Sequence, residues 1–204
     1  MAAFSVHLQQ VAKRYDRDWV IRDFSHHFHA GMCYGISGRN GSGKSTLLRM
    51  ISGHLTPTRG KRTFRKGDQE MPPNAVYPLL SYVGPYLDVI EEFSLVEAIH
   101  FHFQFKPLLP NVEKAELPQV LGLERWQQKP IKTYSSGMKQ RVLLGLAICS
   151  ATPLLLLDEP TNTLDKTAQE WFQTLLAQHK ADRLVVIATN VPDDLAQCQE
   201  IITL

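Results

Sequence analysis

The sequence predicts an α/β fold, and three observations carry that expectation. Two uninterrupted apolar runs, Leu154–Leu157 and Leu184–Ala188, have the length and composition of strands buried on both faces. Segments of helical period flank them: Ser136–Ser150 before the first, and Thr167–His179 between the two. In the second helix Ala168, Trp171, Phe172, Leu175 and Leu176 share one face. The N-terminal part is different, with β-branched and aromatic runs punctuated by Asp and Gly. A parallel sheet covered by helices on both sides, preceded by a β-rich part, accounts for all three.

Taken in order, strands are expected over Phe4–Val11, Trp19–Phe28 and Met32–Ser37. Gly38 to Lys44 is a glycine-rich loop, and Ser45–Ile51 then supplies helix formers. Thr56-Pro57-Thr58-Arg59-Gly60 is turn chemistry leading into a hairpin, and Leu79–Val83 reads as another strand. Ser94–Phe105 and Asn111–Gly122 suggest short helices, separated by Pro107 and Pro110 and weakened by Pro118. Tyr86 to about Lys132 therefore reads as a mostly helical insertion. Beyond it the regular strand–helix alternation takes over.

Composition narrows the class. The 204 residues are 44% hydrophobic and 21% charged, enough to bury a core without disulfides or structural metal. Twenty-two Lys and Arg against 20 Asp and Glu leave a net charge of +2, too balanced for a nucleic-acid-coating protein. Cys33, Cys149 and Cys198 are scattered, show no metal-ligand spacing and fit a reducing compartment. Met1 to Gln10 has no basic stretch followed by an apolar one, so no secretory signal is expected. The 16-residue uncharged stretch Val142–Leu157 falls short of the roughly 20 apolar residues of a membrane span. Ser150, Thr152 and Pro153 interrupt it, which suits a buried helix, a turn and a buried strand. No direct membrane insertion is expected.

Two motifs carry chemistry. Gly38-Arg39-Asn40-Gly41-Ser42-Gly43-Lys44-Ser45 satisfies G-x-x-x-x-G-K-[ST] between an expected strand and an expected helix. Its glycines let backbone N–H groups turn toward a polyphosphate, and the helix N-terminus adds a favourable potential. Lys44 is expected to contact the β- and γ-phosphates, and Ser45 to ligate Mg²⁺. The second motif, Leu154-Leu155-Leu156-Leu157-Asp158-Glu159-Pro160, delivers two carboxylates to the C-terminal end of a buried strand. Asp158 is expected to hold Mg²⁺ and Glu159 to polarise an attacking water.

Tyr134-Ser135-Ser136-Gly137-Met138-Lys139-Gln140-Arg141, lying between these motifs, resembles the signature sequence of ATP-binding cassette (ABC) ATPases. The common form is Leu-Ser-Gly-Gly-Gln, matched strictly at Ser135 and Gly137. From about Val6 onward the chain resembles that family's nucleotide-binding subunit, in its export-type form. The resemblance implies a P-loop NTPase of ABC type: a mixed β-sheet core, an N-terminal antiparallel β subdomain and an inserted helical subdomain. It divides residues 1–204 into a catalytic core with β subdomain (1–85 and 133–204) and a helical subdomain (86–132). The chain ends about where the sheet does, so no appended regulatory domain is expected.

The resemblance also implies the ligands, partners and site. ATP and Mg²⁺ bind at Gly38, Arg39, Asn40, Gly41, Ser42, Gly43, Lys44, Ser45 and Thr46, with Tyr15 stacking on adenine and Ser45 and Asp158 holding the metal. Ser135 and Gly137 close the site from a second ABC subunit, identical or different, and Thr163-Leu164-Asp165 contacts that subunit. Glu159, Lys44 and Asn190 are the implied catalytic set. A separate transmembrane permease is the expected partner, placing the chain in the cytoplasm, peripheral on the cytoplasmic membrane face. Nucleic acid is not an expected partner.

Two positions depart from the family pattern. The Gln usual after the Leu79–Val83 strand is missing, with Pro85 in its place, and the switch His after Leu184–Ala188 is Asn190. Asn can hydrogen-bond to a γ-phosphate but carries no charge, so turnover is expected to be slow. The alternatives are a soluble, non-transport ABC ATPase and a slowly hydrolysing nucleotide-gated switch. Three remaining features read as structural. The basic run Arg59, Lys61, Arg62, Arg65 and Lys66 is a solvated hairpin face. His26, His27 and His29 are surface residues, and Phe101, Phe103 and Phe105 pack the helical part.

Overall fold

The fold is that of a computed structural model describing residues 3–204. Strands β1 (Phe4–Tyr15) and β2 (Asp18–His29) form an antiparallel ribbon. β3 (Cys33–Ser37) leads through the glycine loop into α1 (Lys44–Ser52). A hairpin follows, β4 (Arg59–Lys66) and β5 (Gln69–Met71), then β6 (Leu80–Val83). Next come α2 (Leu95–Phe105), the one-turn α3 (Leu117–Val120) and α4 (Ser136–Ile148). β7 (Leu154–Asp158), α5 (Lys166–His179), β8 (Leu184–Thr189) and β9 (Glu200–Thr203) complete the order.

The mixture of strand directions is divided between two sheets. One is four-stranded and antiparallel, in the order β2-β1-β4-β5, and the other is five-stranded and parallel, in the order β6-β7-β8-β3-β9. Alternation along the parallel strands splits the core in two. Leu154, Leu156, Val186 and Ile36 face α1 and the antiparallel sheet, whereas Leu155, Leu157, Val185 and Ile187 face α4 and α5. All eight are fully buried, each side chain contributing about 1.5–3 kcal/mol relative to exposure. Arg183, buried just before β8, donates to the carbonyl of Ile148 at the end of α4 and to that of Thr152 in the turn that follows. That supplies a donor which the last carbonyls of α4 lack within the helix itself.

Several expectations shift. β1 runs past Val11 to Tyr15, because a bulge at Gln10 (φ 48°) throws the alternation out of phase and hides the rest of the strand. β6 starts at Leu80, after a 3₁₀ turn over Tyr77–Leu79. The expected helix over Asn111–Gly122 shrinks to α3, since Pro118 has no N–H to continue a helix from its N-terminal side. Phe103 packs in the core, but Phe101 and Phe105 stay exposed. Within the basic run, Arg62 is half-buried and donates to the carbonyls of Met50 and Leu55 near the end of α1. His26 is half-buried against Phe28 and Tyr34, while His27 and His29 are exposed. The Ser94–Phe105 helix forms with Ser94 as its N-cap in a capping box with Glu97.

Candidate functional site

The C-terminal ends of β3, β7 and β8 lie side by side, so the loops that follow them share one edge of the parallel sheet. Open α/β sheets bind ligands at that edge. From β3 comes the loop Gly38–Gly43, and from β7 the pair Asp158-Glu159. From β8 comes the turn Thr189-Asn190.

The loop can exist only with glycine at its last position. Gly43 has φ 105°, and a Cβ there would stand 2.8 Å from Ile21 and 2.9 Å from Val20. As the N-cap of α1, Gly43 offers no side-chain acceptor, so the first backbone N–H groups of the helix keep their donors for a ligand. Ser42 Oγ is buried and has no partner among the described residues. An orphaned hydroxyl inside a ring of backbone donors fits a bound phosphate, which would supply its acceptor. Arg39, Asn40 and Gly41 form the rim of the loop, and Thr46 lies in the first turn of α1.

Lys44, 5% exposed, holds its ammonium 3.0 Å from the carbonyl of Gly38 and 3.2 Å from Glu159 Oε1. Ser45 donates to Asp158 Oδ1 at 3.0 Å, and Tyr82 donates to Asp158 Oδ2 at 3.3 Å. Burial raises the Asp158 pKa, opposed by these two donors. The Tyr82 hydroxyl is pushed up to about 12 by its own burial and by the nearby Asp158 charge. Ser45 and Asp158 thus present adjacent hard oxygens, a donor set that suits Mg²⁺.

Glu159 sits beyond the end of β7 at φ 48°, a left-handed conformation that costs a non-glycine residue about 1–3 kcal/mol. Its N–H is held by the carbonyl of Ala188 at 2.7 Å. The carboxylate is gripped from several sides: Oε1 by Lys44, and Oε2 by the Thr189 hydroxyl at 3.1 Å and the Asn190 N–H at 3.4 Å. The Asn190 side chain donates to Asn40 at 3.2 Å and so bridges the β8 turn to the loop. A strained, fully engaged carboxylate beside a buried ammonium can serve as a base once the ammonium is drawn to a phosphate.

The other sequence candidates lie on the flanking elements. Ser135 N-caps α4, accepting from Met138 N–H at 3.2 Å, and Gly137 lies in its first turn. A Cβ on Gly137 would come within 3.1 Å of the Thr163 carbonyl, so the two segments approach closely there. Asp165 N-caps α5 and Leu164 is buried. Tyr15 is half-exposed at the end of β1, its ring 5.4 Å from the Lys13 ammonium. Pro85 lines a cleft of about 340 Å³ with Asp158, Glu159, Gln140 and Thr163. Tyr82, Thr189 and Asp194 were not singled out by sequence. Asp194 is 1% exposed and accepts from Thr161 at 2.8 Å and Thr189 at 3.0 Å. The only signal was an Asp-Asp pair just after a strand end.

Comparison with known proteins agrees with this architecture. The ABC transporter family model matches residues 21–162. The cytochrome c biogenesis ATP-binding export protein CcmA of Rhizobium etli is 32% identical over 201 residues, covering 95% of this chain and 91% of its own length. ATP-binding cassette sub-family A member 17 of Mus musculus is 29% identical over 178 residues and 85% of this chain. The chain spans about a tenth of that relative's length (10%). A bacterial ABC transporter cassette solved as a dimer superposes with a TM-score of 0.80 at 22% identity, covering 98% of this chain and 94% of its own. With more than half of its length inside the family model, and with a glycine loop, a signature helix and an Asp-Glu strand end in family order, the chain belongs to the ABC transporter family as an ATP-binding cassette.

Proposed function

We propose that this cassette binds MgATP at the β3–β7–β8 edge and hydrolyses it between two cassettes to power export through a separate transmembrane permease. The observation that carries the reading is Lys44, Asp158, Glu159 and Asn190 meeting at one sheet edge beside an orphaned Ser42 hydroxyl. The Gly38–Gly43 loop, Lys44 and the α1 N-terminus hold the phosphates, Thr46 lies with them, and Tyr15 offers an open ring face for adenine. Ser45 and Asp158 hold Mg²⁺, which when bound neutralises phosphate charge during transfer. Glu159 accepts a proton from the attacking water, and Asn190 holds both Glu159 and the loop in register.

In this reading the second cassette contributes Ser135 and Gly137. Residues 86–132 form the helical subdomain in this reading, and residues 1–85 with 133–204 the remainder. Support for a permease there comes from an apolar surface: Tyr86 is 85% and Phe105 67% exposed, with Leu87, Ile90 and Phe101 also exposed. A cavity of about 550 Å³, lined in part by Arg49, Tyr82, Tyr86 and Lys106, adjoins this surface. Among the described residues no helix is long and apolar enough to cross a membrane. Export is further supported by the names of relatives such as the Nod factor export ATP-binding protein I of Rhizobium johnstonii, 28% identical over 201 residues. This reading puts the chain on the cytoplasmic face of the membrane. Asn190 and Pro85, standing where the family carries His and Gln, favour slow basal turnover.

Two variants test the reading. Lys44→Ala should weaken MgATP binding by about 2–4 kcal/mol, the cost of a desolvated charged contact. Glu159→Gln should bind ATP without turnover and dimerise with it, as seen by light scattering, because a ligand that binds only the closed state stabilises it. Unchanged affinity in the first, or wild-type turnover in the second, would overturn the assignment.

A further inference from the structure

Glu159 is oriented by a hydroxyl that it does not have to itself. Thr189 Oγ1 lies 3.1 Å from Glu159 Oε2 and 3.0 Å from Asp194 Oδ2, and it accepts the Val191 N–H at 3.0 Å. A threonine hydroxyl carries one proton and two acceptor sites. With both carboxyl groups ionised, that single proton serves one of them and leaves the other facing a lone pair at hydrogen-bond distance. Asp194 is 1% exposed, and among the described residues it has no ion-pair partner within 4.0 Å. Its other oxygen accepts from the Thr161 hydroxyl at 2.8 Å.

We propose that Asp194 is a positioning residue for Glu159, acting in its acid form through the Thr189 hydroxyl. A proton on Asp194 Oδ2 satisfies every group at once. Asp194 donates to Thr189 Oγ1, Thr189 donates to Glu159 Oε2, and Thr161 donates to Asp194 Oδ1. Thr189 Oγ1 then accepts from both Val191 and Asp194, using its full capacity. Burial is the main influence against a charge on Asp194; the Thr161 and Thr189 hydroxyls oppose it when they donate, while Glu159 beyond β7 and Asp193 in its own turn add to it. Cys198 is the other titratable neighbour that senses its charge. Asp194 also ties Thr161, in the segment after Glu159, to Thr189, just before Asn190. The left-handed turn at Glu159 is thereby braced on both sides. The inference rests on the reading of Glu159 as the hydrolytic base.

The test uses the purified full chain in single-turnover ATP hydrolysis, with ATP affinity and melting temperature measured alongside. Asp194→Asn copies the acid form, since its carbonyl accepts from Thr161 and its amide donates to Thr189. It should hydrolyse within about threefold of wild type, and its rate should not share the wild-type decline at the alkaline end, where Asp194 ionises. Asp194→Ala should lose roughly 10–10²-fold in rate with ATP affinity retained, as for a misplaced reacting group. An infrared difference between wild type and Asp194→Asn at neutral pH should show a protonated-carboxyl C=O band in the wild type, whether or not the Ala variant folds. Loss in Asp194→Asn equal to that in Asp194→Ala, an unaffected Asp194→Ala, or absence of the band would overturn the proposal. Glu159→Gln is the control: if it hydrolyses like wild type, the reading of Glu159 fails. If it is inactive while Asp194→Ala is unaffected, only the role of Asp194 fails.

Discussion

Removing the charge of Glu159 should tighten nucleotide binding, because in this conformation Glu159 competes with phosphate for Lys44. The Lys44–Glu159 ion pair is 3.2 Å long, with side chains only 6% and 13% exposed. At an effective dielectric of 20, two unit charges 3.2 Å apart attract by about 5 kcal/mol, an upper bound on what a phosphate must replace. The net figure is smaller. A hydrogen bond involving an ionised group contributes about 1.5–3 kcal/mol, toward the upper end where both partners are ionised and toward the lower end where only one is. Glu159→Gln keeps an amide oxygen for Lys44 but loses the charge, so releasing the ammonium should cost about 1–1.5 kcal/mol less.

That difference corresponds to about five- to twelvefold tighter binding. Calorimetric titration with the β,γ-imido analogue of ATP and Mg²⁺ measures it free of hydrolysis. Affinity equal to or weaker than wild type would refute the competition. A second comparison locates the cause: in a Lys44→Ala background the Glu159→Gln gain should largely vanish. If the full gain persists there, it comes from removing direct repulsion between Glu159 and the phosphates, and the ion pair plays no part.

Two other outcomes are expected. Asn190→His should raise the single-turnover rate with little change in ATP affinity, and Asn190→Ala should lower it, since positioned groups of this kind contribute about 10²–10³-fold. A flat result for both would remove Asn190 from the catalytic set. His102, bonded to Ser150 Oγ at 2.9 Å, has its pKa lowered to about 4 by burial and then by the Lys106 charge. The folded state therefore holds it neutral. Its contribution is complete above the unfolded value near 6.5 and is lost as pH falls from there through about 4, by up to about 3 kcal/mol. Thermal melts should show a shallower acid decline for His102→Gln than for wild type, and parallel declines would refute the linkage.

Much of this molecule was legible in the linear chain, for a physical reason. Glycine at Gly41 and Gly43, the unbroken leucines of β7 and the capping residues Ser94 and Ser135 express requirements satisfied within a few neighbours. The glycine loop, the Asp-Glu strand end and the flanking helices follow from backbone sterics, burial on two faces and orphan helix donors. What lay hidden depends on distant partners. The bulge at Gln10, whose N–H is bound by Ser25 across the ribbon, erased the periodicity of β1. The Asn190–Asn40 bond spans 150 residues of sequence, and Thr189 reaches Glu159 only because β8 lies beside β7. Local periodicity records which face of a strand is buried but carries nothing about which strand lies beside it. The choice of neighbours comes from the collective burial of both core clusters, and that choice decided which hydroxyl, amide and carboxyl groups surround Glu159.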